Sequence, residues 1–290
     1  MKEYLKLIRV KHWLKNGLVF LPVFFSKNIL NTKLLLINTL AFLIFYITSS
    51  MVYVINDISD VEKDRKHPIK KHRPLASGKI KIKEAKITLL ILAILDILLI
   101  AASIQKAESI FIILIPVIYF ILNIAYSKYL KNIPIIDVVI LVTGFVLRVM
   151  YGGIIIGVEV SKYLYLMIIF GSFFLSFGKR RNEIIKNGDK SRTSLSLYTK
   201  EFLDKNMYVT FALAIVSYTL WCVDPSTIAH IGNDYIFWTI PILMVLLQQY
   251  SLNIEGSSYG DPIDVILSDK RLIVTGIFYL IAMIGIIYII

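Results

Sequence analysis

The chain has 290 residues, of which 57% are hydrophobic and only 18% charged, and its mean hydropathy is +0.72. Soluble domains average about 45–50% apolar and about 25% charged residues, so a soluble globular fold is excluded. The net charge of +12 admits nucleic acid or an anionic membrane surface as a partner until the charges are located.

A membrane-crossing helix needs about 20 predominantly apolar residues. In chain order, the runs at 34–55, 87–104, 110–126, 133–158, 163–177, 208–223, 235–247 and 272–290 qualify, several of them only with polar ends. A shorter run at 18–25, taken with its flanks over 13–30, makes a ninth. The expectation is an all-α integral membrane protein of nine transmembrane helices, one polytopic domain spanning 1–290. The first 15 residues are basic and amphipathic and show no small-residue cleavage site, so no cleavable signal is expected.

Nine spans place 27 of the 32 Lys and Arg residues on one side, in the N-terminus and the segments 56–86, 127–132, 178–207 and 253–271. The opposite side holds Lys27, Lys33, Lys106 and Lys162, and Arg148 falls inside a run. An excess of Lys and Arg marks the cytoplasmic face. The N-terminus is therefore expected in the cytoplasm and the C-terminus outside, in a cell (inner) membrane. Located this way, the charge gives no support to a nucleic-acid partner. Fourteen of the 20 acidic residues share the cytoplasmic side, which is more than topology requires.

The segment from Asn56 to Gly78 carries the strongest chemical pattern. Asn56, Asp60 and Asp64 recur every four residues, with Asp57 beside the first. If the preceding helix continues, they lie on one face a turn apart, where like charges repel. An all-oxygen ligand set suits Mg²⁺, which commonly bridges one or two carboxylates to phosphates. Lys70, Lys71 and Arg73 follow and are suited to phosphate oxygens. Metal carboxylates followed by cations describe a site for a diphosphate leaving group. His12, His67, His72 and His230 have no metal-ligand spacing, and the one cysteine, Cys222, excludes a multi-cysteine site.

Asn-Asp-x-x-Asp-x-x-x-Asp at 56–64, then Arg-Pro-x-x-Ser-Gly at 73–78, resembles the first aspartate motif of the UbiA-type intramembrane prenyltransferase superfamily. His67-Pro68-Ile69-Lys70 is similar to the decaprenyl-phosphate phosphoribosyltransferase branch. So are Trp13-Leu14-Lys15-Asn16, Tyr126-Ser127-Lys128-Tyr129-Leu130-Lys131, and the run from Lys179 through Glu183 with Arg192 and Tyr198. Aromatic-acceptor members carry a second Asp-x-x-x-Asp motif after helix six; here Lys179-Arg180-Arg181-Asn182-Glu183 stands there instead.

The resemblance implies a UbiA-like bundle with its active site on the cytoplasmic face, built from the segments 56–86, 178–207 and 253–271. It implies transfer of 5-phosphoribose from phosphoribosyl diphosphate to a polyprenyl phosphate, with release of pyrophosphate. On this expectation Asn56 and Asp60 hold Mg²⁺, and Asp57, Asp60 and Asp64 are catalytic. Lys15, Tyr53, Lys70, Arg73, Tyr126, Lys131, Arg148, Lys179, Arg180 and Glu183 are expected to bind substrate, Lys131 at the lipid phosphate and Glu183 at a ribose hydroxyl or a metal-bound water. The alternative inside the superfamily is prenyl transfer from a prenyl diphosphate to an aromatic or other acceptor. A transporter is the reading from another class, disfavoured because the polar chemistry crowds one face rather than the midplane.

Asp96, Asp137 and Arg148 are ionisable groups inside apolar runs, where such groups face a cavity or a partner. Asp96 reads as structural, and Arg148 as a partner of Asp96 or of another buried group. The 260–271 segment suits capping as well as ribose binding. Self-association is left open by the apolar faces.

Overall fold

A computed structural model describes residues 2–66, 70–104, 109–187, 193–256 and 262–290. His67, Pro68, Ile69, Lys106 and Arg192, named above, and residues 260–261 of the 260–271 segment lie outside the described residues. Within the described residues all regular structure is helical. The helices are α1 (Lys2–Leu7), α2 (Leu21–Phe25), α3 (Thr32–Ser59), α4 (Val61–Lys66), α5 (Ile82–Ile104), α6 (Phe111–Lys128), α7 (Ile136–Ile156), α8 (Lys162–Asn187), α9 (Lys200–Val223), α10 (Pro225–Ile231), α11 (Ile240–Glu255), α12 (Pro262–Ser268) and α13 (Lys270–Ile284).

Among the described residues seven helical stretches are long and apolar enough to cross a bilayer: α3, α5, α6, α7, α9, Tyr235–Glu255 and Lys270–Ile289. The two other expected spans differ in form. The N-terminal run is a 3₁₀ stretch, Val10–Phe20, followed by the five-residue α2. The 163–177 run is the apolar front of α8, which continues to Asn187 and so carries Lys179, Arg180 and Glu183 on helix rather than loop. Outward faces of α5 and α13 are apolar, with Ile97 66% and Val274 66% exposed, as lipid-facing surfaces require.

The chain divides into two compact units. The first comprises Met1–Val23, Asn28–Lys128 and Leu147–Val158. The long α3 starts at Asn31, whose side chain accepts the Leu34 N–H, a cap that satisfies one of the free donors of the first turn. Val19, Ile44, Phe45, Ile112, Tyr119 and Tyr151 form one core of this unit. Leu7, Val54, Val61, Leu75, Ile80 and Ala85 form another around the C-terminal end of α3. Gly152 of α7 touches the 3₁₀ stretch so closely that a Cβ there would lie 2.1 Å from the Val19 carbonyl oxygen.

The second unit comprises Phe24–Lys27, Tyr129–Val146 and Glu159–Ile290. Here α8 packs along α9, and Phe174, Phe177, Leu203, Met207, Tyr250 and Ile254 fill the core. Capping side chains start three of its helices: Thr199 for α9, Asp224 for α10 and Asp269 for α13. Asn253 donates to the Asp269 carboxylate at 2.8 Å, linking α11 to the cap of α13. That amide, with the Arg271 N–H, holds the Asp269 carboxyl below its usual range. Asp269 thus caps α13, one of the two roles expected of the 260–271 segment.

Candidate functional site

In the first unit the aspartate motif straddles a helix break. α3 ends at Ser59, Asp60 occupies the C-cap with φ −99° and ψ 7°, and α4 begins at Val61. The four-residue spacing survives the break, because the Asp60 N–H donates to Asn56 O and the Asp64 N–H to Asp60 O. The two ends of the motif are nonetheless treated differently. Asp57 and Asp64 are buried, at 3% and 4% exposure, and Arg73 bridges them. Its Nη1 lies 2.7 Å from Asp64 Oδ2 and 3.2 Å from Asp57 Oδ1. Arg9 donates a second guanidinium bond to Asp57, at 2.7 Å, and lies over the Tyr53 ring at 4.5 Å.

Asn56 and Asp60 are half-buried, and among the described residues their side chains make no hydrogen bond or ion pair. Two oxygen donors one helical turn apart, not consumed by internal partners, fit the incomplete protein shell that Mg²⁺ prefers, with waters and substrate oxygens filling the rest. The residues therefore fit the expected ion. Among the described residues no group of three His, Cys, Asp or Glu side chains converges as a fuller metal cage.

Lys70 opens the 3₁₀ turn Lys70–His72, and Pro74 and Leu75 behind it are buried. Lys15, Tyr53 and Tyr126 are half-buried in the same unit. The structure gives Arg148 a separate, buried environment. Its Nε donates to Asn16 Oδ1 at 2.8 Å and its Nη2 to Tyr119 Oη at 2.7 Å, with the Tyr119 ring 4.7 Å away. Asp96 accepts from Thr48 at 2.9 Å. Of the two partners expected for Arg148, the other buried group is thus the one found.

In the second unit Lys179, Arg180 and Glu183 lie on the last turns of α8. Arg180 is 1% exposed. Its Nε donates to Asp137 Oδ2 and its Nη1 to Glu183 Oε2, both at 2.7 Å. A guanidinium so held orients Glu183 as much as it offers charge. Lys179 and Glu183 are half-buried, as is Lys131, whose carbonyl accepts from Ser194 at 2.9 Å. Arg181 bonds Asp204 at 2.5 Å and the Ile254 carbonyl at 3.2 Å.

Three residues outside the expected site set take part: Arg9, Asp137 and Tyr198. Arg9 is one of five cations in the first 15 residues, and no sequence signal sets it apart. Asp137 did carry a signal, an acid inside an apolar run. Tyr198 donates to Asp137 Oδ1 at 2.7 Å and accepts the Ile135 N–H at 2.5 Å. Burial pushes its phenol above the usual range, so it remains a donor to the carboxylate.

The profile of the UbiA prenyltransferase family matches residues 19–264. The decaprenyl-phosphate phosphoribosyltransferase of Corynebacterium glutamicum is 32% identical, over 98% of this chain and 86% of that protein. The enzyme of the same description from Mycobacterium tuberculosis is 27% identical over 92% of this chain and 88% of that protein. A solved UbiA homolog from Archaeoglobus fulgidus, bound to GPP and Mg²⁺, superposes with a TM-score of 0.66 at 19% identity, covering 99% of this chain and 100% of that one. At that identity the superposition establishes the fold.

Proposed function

The chain belongs to the UbiA prenyltransferase family, a family of multi-pass membrane enzymes, and from that premise we propose that it transfers 5-phosphoribose from phosphoribosyl diphosphate to a polyprenyl phosphate. The observation that carries this reading is the end of α8. Where an aromatic-acceptor prenyltransferase needs a second acidic metal motif, α8 presents Lys179 and an Arg180–Glu183 pair. The two relatives described above, which align over 98% and 92% of this chain, bear the name of this activity.

In this reading the chain forms one polytopic domain of nine spans, with 13–30 and α8 added to the seven apolar stretches. The N-terminus is cytoplasmic, the C-terminus outside, and the reaction proceeds at the cytoplasmic face. Asn56 and Asp60 would hold Mg²⁺. The bound ion supplies Lewis-acid stabilisation of charge developing on the leaving pyrophosphate. Asp57 and Asp64 aim Arg73 at phosphate charge, to whose neutralisation Lys70 adds; Lys179, in the second unit, is assigned substrate phosphate. Lys15, Tyr53 and Tyr126 contact substrate phosphate. Glu183, turned by Arg180, takes a ribose hydroxyl. Lys131 holds the lipid phosphate, whose oxygen attacks ribose C1 as the C1–O bond to pyrophosphate breaks. That oxygen is already anionic at neutral pH, so no strong general base is needed. Arg148 acts from its buried site by fixing Asn16, next to Lys15.

The test incubates purified protein with Mg²⁺, polyprenyl phosphate and labelled phosphoribosyl diphosphate. Labelled lipid is the expected result. No labelled lipid, together with product from a prenyl diphosphate and an aromatic acid, would replace this reading with prenyl transfer.

A further inference from the structure

In the second unit, the side chains given substrate contacts hang from segments that meet at one carboxylate. Asp137, in the first turn of α7, is fully buried. One of its oxygens takes the Arg180 Nε–H and the other the Tyr198 hydroxyl, each at 2.7 Å. Arg180 in turn holds Glu183 at 2.7 Å. The Tyr198 oxygen accepts the Ile135 N–H at 2.5 Å, and Ser194 donates to the Lys131 carbonyl at 2.9 Å. Between Lys131 and Asp137 the backbone is strained: Ile135 has φ +68°. A β-branched residue in the left-handed region persists only where its surroundings over-determine it. Here the Tyr198 hydroxyl supplies that constraint, and Tyr198 is itself fixed by Asp137.

We infer that Asp137 and Tyr198 are positioning residues that set the Lys131-bearing turn and the Glu183 carboxylate from one buried network, Tyr198 governing the turn and Asp137 governing both. This rests on the proposed function for the roles of Lys131 and Glu183. The two substrates are therefore addressed through separable branches. Loss of the Tyr198 hydroxyl frees the Ile135 turn and leaves Arg180 between its two carboxylates. Loss of the Asp137 charge releases Arg180 and Tyr198 together.

The experiment uses the full chain in detergent, comparing the parent with Tyr198→Phe and Asp137→Asn. Expected is a roughly five- to tenfold rise in the polyprenyl-phosphate KM for Tyr198→Phe, the scale of one lost hydrogen bond, with the phosphoribosyl-diphosphate KM within about twofold of the parent. Asp137→Asn is expected to raise both. Hydrogen–deuterium exchange provides a readout independent of turnover: peptides covering 131–136 lose protection in Tyr198→Phe. Unchanged protection overturns the inference whatever the activity. Equal rises in both KM values for Tyr198→Phe, alongside a lowered melting temperature, also overturn it, since a structural role alone does that. A parent that makes no labelled lipid refutes the proposed function instead, and the exchange result still decides whether the network holds the turn.

Discussion

Replacing Arg73 with Met removes the bridge between Asp57 and Asp64 while keeping much of its volume. Breaking a fully buried ion pair by deleting one partner costs about 3–5 kcal/mol, whereas an exposed pair contributes about 0–1 kcal/mol. The Arg73 side chain is 29% exposed and its two carboxylates 3% and 5%. Asp57 keeps Arg9 at 2.7 Å, so the loss falls mainly on Asp64. Solvent at the guanidinium moves the cost below the buried range, to about 2–3 kcal/mol. At about 2–4 °C per kcal/mol for a large domain, the apparent melting temperature in detergent should fall by roughly 4–12 °C. Asp64→Asn added to Arg73→Met should recover much of that loss, because the stranded charge is gone. A double-mutant cycle over the four proteins measures the coupling, expected at about 1–2 kcal/mol. Additive effects, or an Arg73→Met variant that melts with the parent, would refute the idea that Arg73 is held as the counter-ion of Asp64.

Asp60→Ala should abolish Mg²⁺-dependent transfer with the melting temperature kept near the parent's, since the carboxylate has no partner to lose among the described residues; full turnover removes the metal assignment. Gly152→Ala drives a Cβ to 2.1 Å from backbone oxygen of Val19, whereas Gly171 has open space around it. Overpacking typically costs about 1–3 kcal/mol, so thermal denaturation should separate Gly152→Ala from Gly171→Ala, and coincident melting curves would contradict the close approach. The Asp269 carboxyl, held low chiefly by the Asn253 amide, stabilises the start of α13 above its unfolded pKa of about 3.9 and loses that contribution as pH falls through the folded value. Asp269→Asn should accordingly flatten the acid limb of the stability profile below about pH 4, and an unaltered limb would show that the cap contributes nothing there.

The membrane fold was legible because lipid imposes a one-dimensional rule: a long apolar run must hydrogen-bond its own backbone and so becomes a helix. The runs at 34–55, 87–104 and 208–223 all lie on helices of the structure. Their ends were not legible. Polar residues continue a helix beyond the hydrocarbon as readily as they leave it, so α8 runs ten residues past Phe177 to Asn187 and turns an expected loop into helix. Motif spacing carried Asn56 and Asp60 to one side of a turn. It gave no sign that Asp57 and Asp64 would be engaged by arginines 48 and nine residues away.

By itself, then, the sequence determined what a linear pattern can encode: the all-helical membrane architecture, the asymmetry of charge and the oxygen-rich motif beside it. The tertiary structure decided which charges are spent. Arg180 carries the same charge in any fold, yet burial between Asp137 and Glu183 makes it a support for its neighbours. Asp57 and Asp60 are three residues apart in the same motif, yet one is buried against two guanidiniums and the other has oxygens uncommitted among the described residues. Desolvation forces a buried charge to find a partner, and the partner comes from wherever the chain has folded back, which no local pattern records.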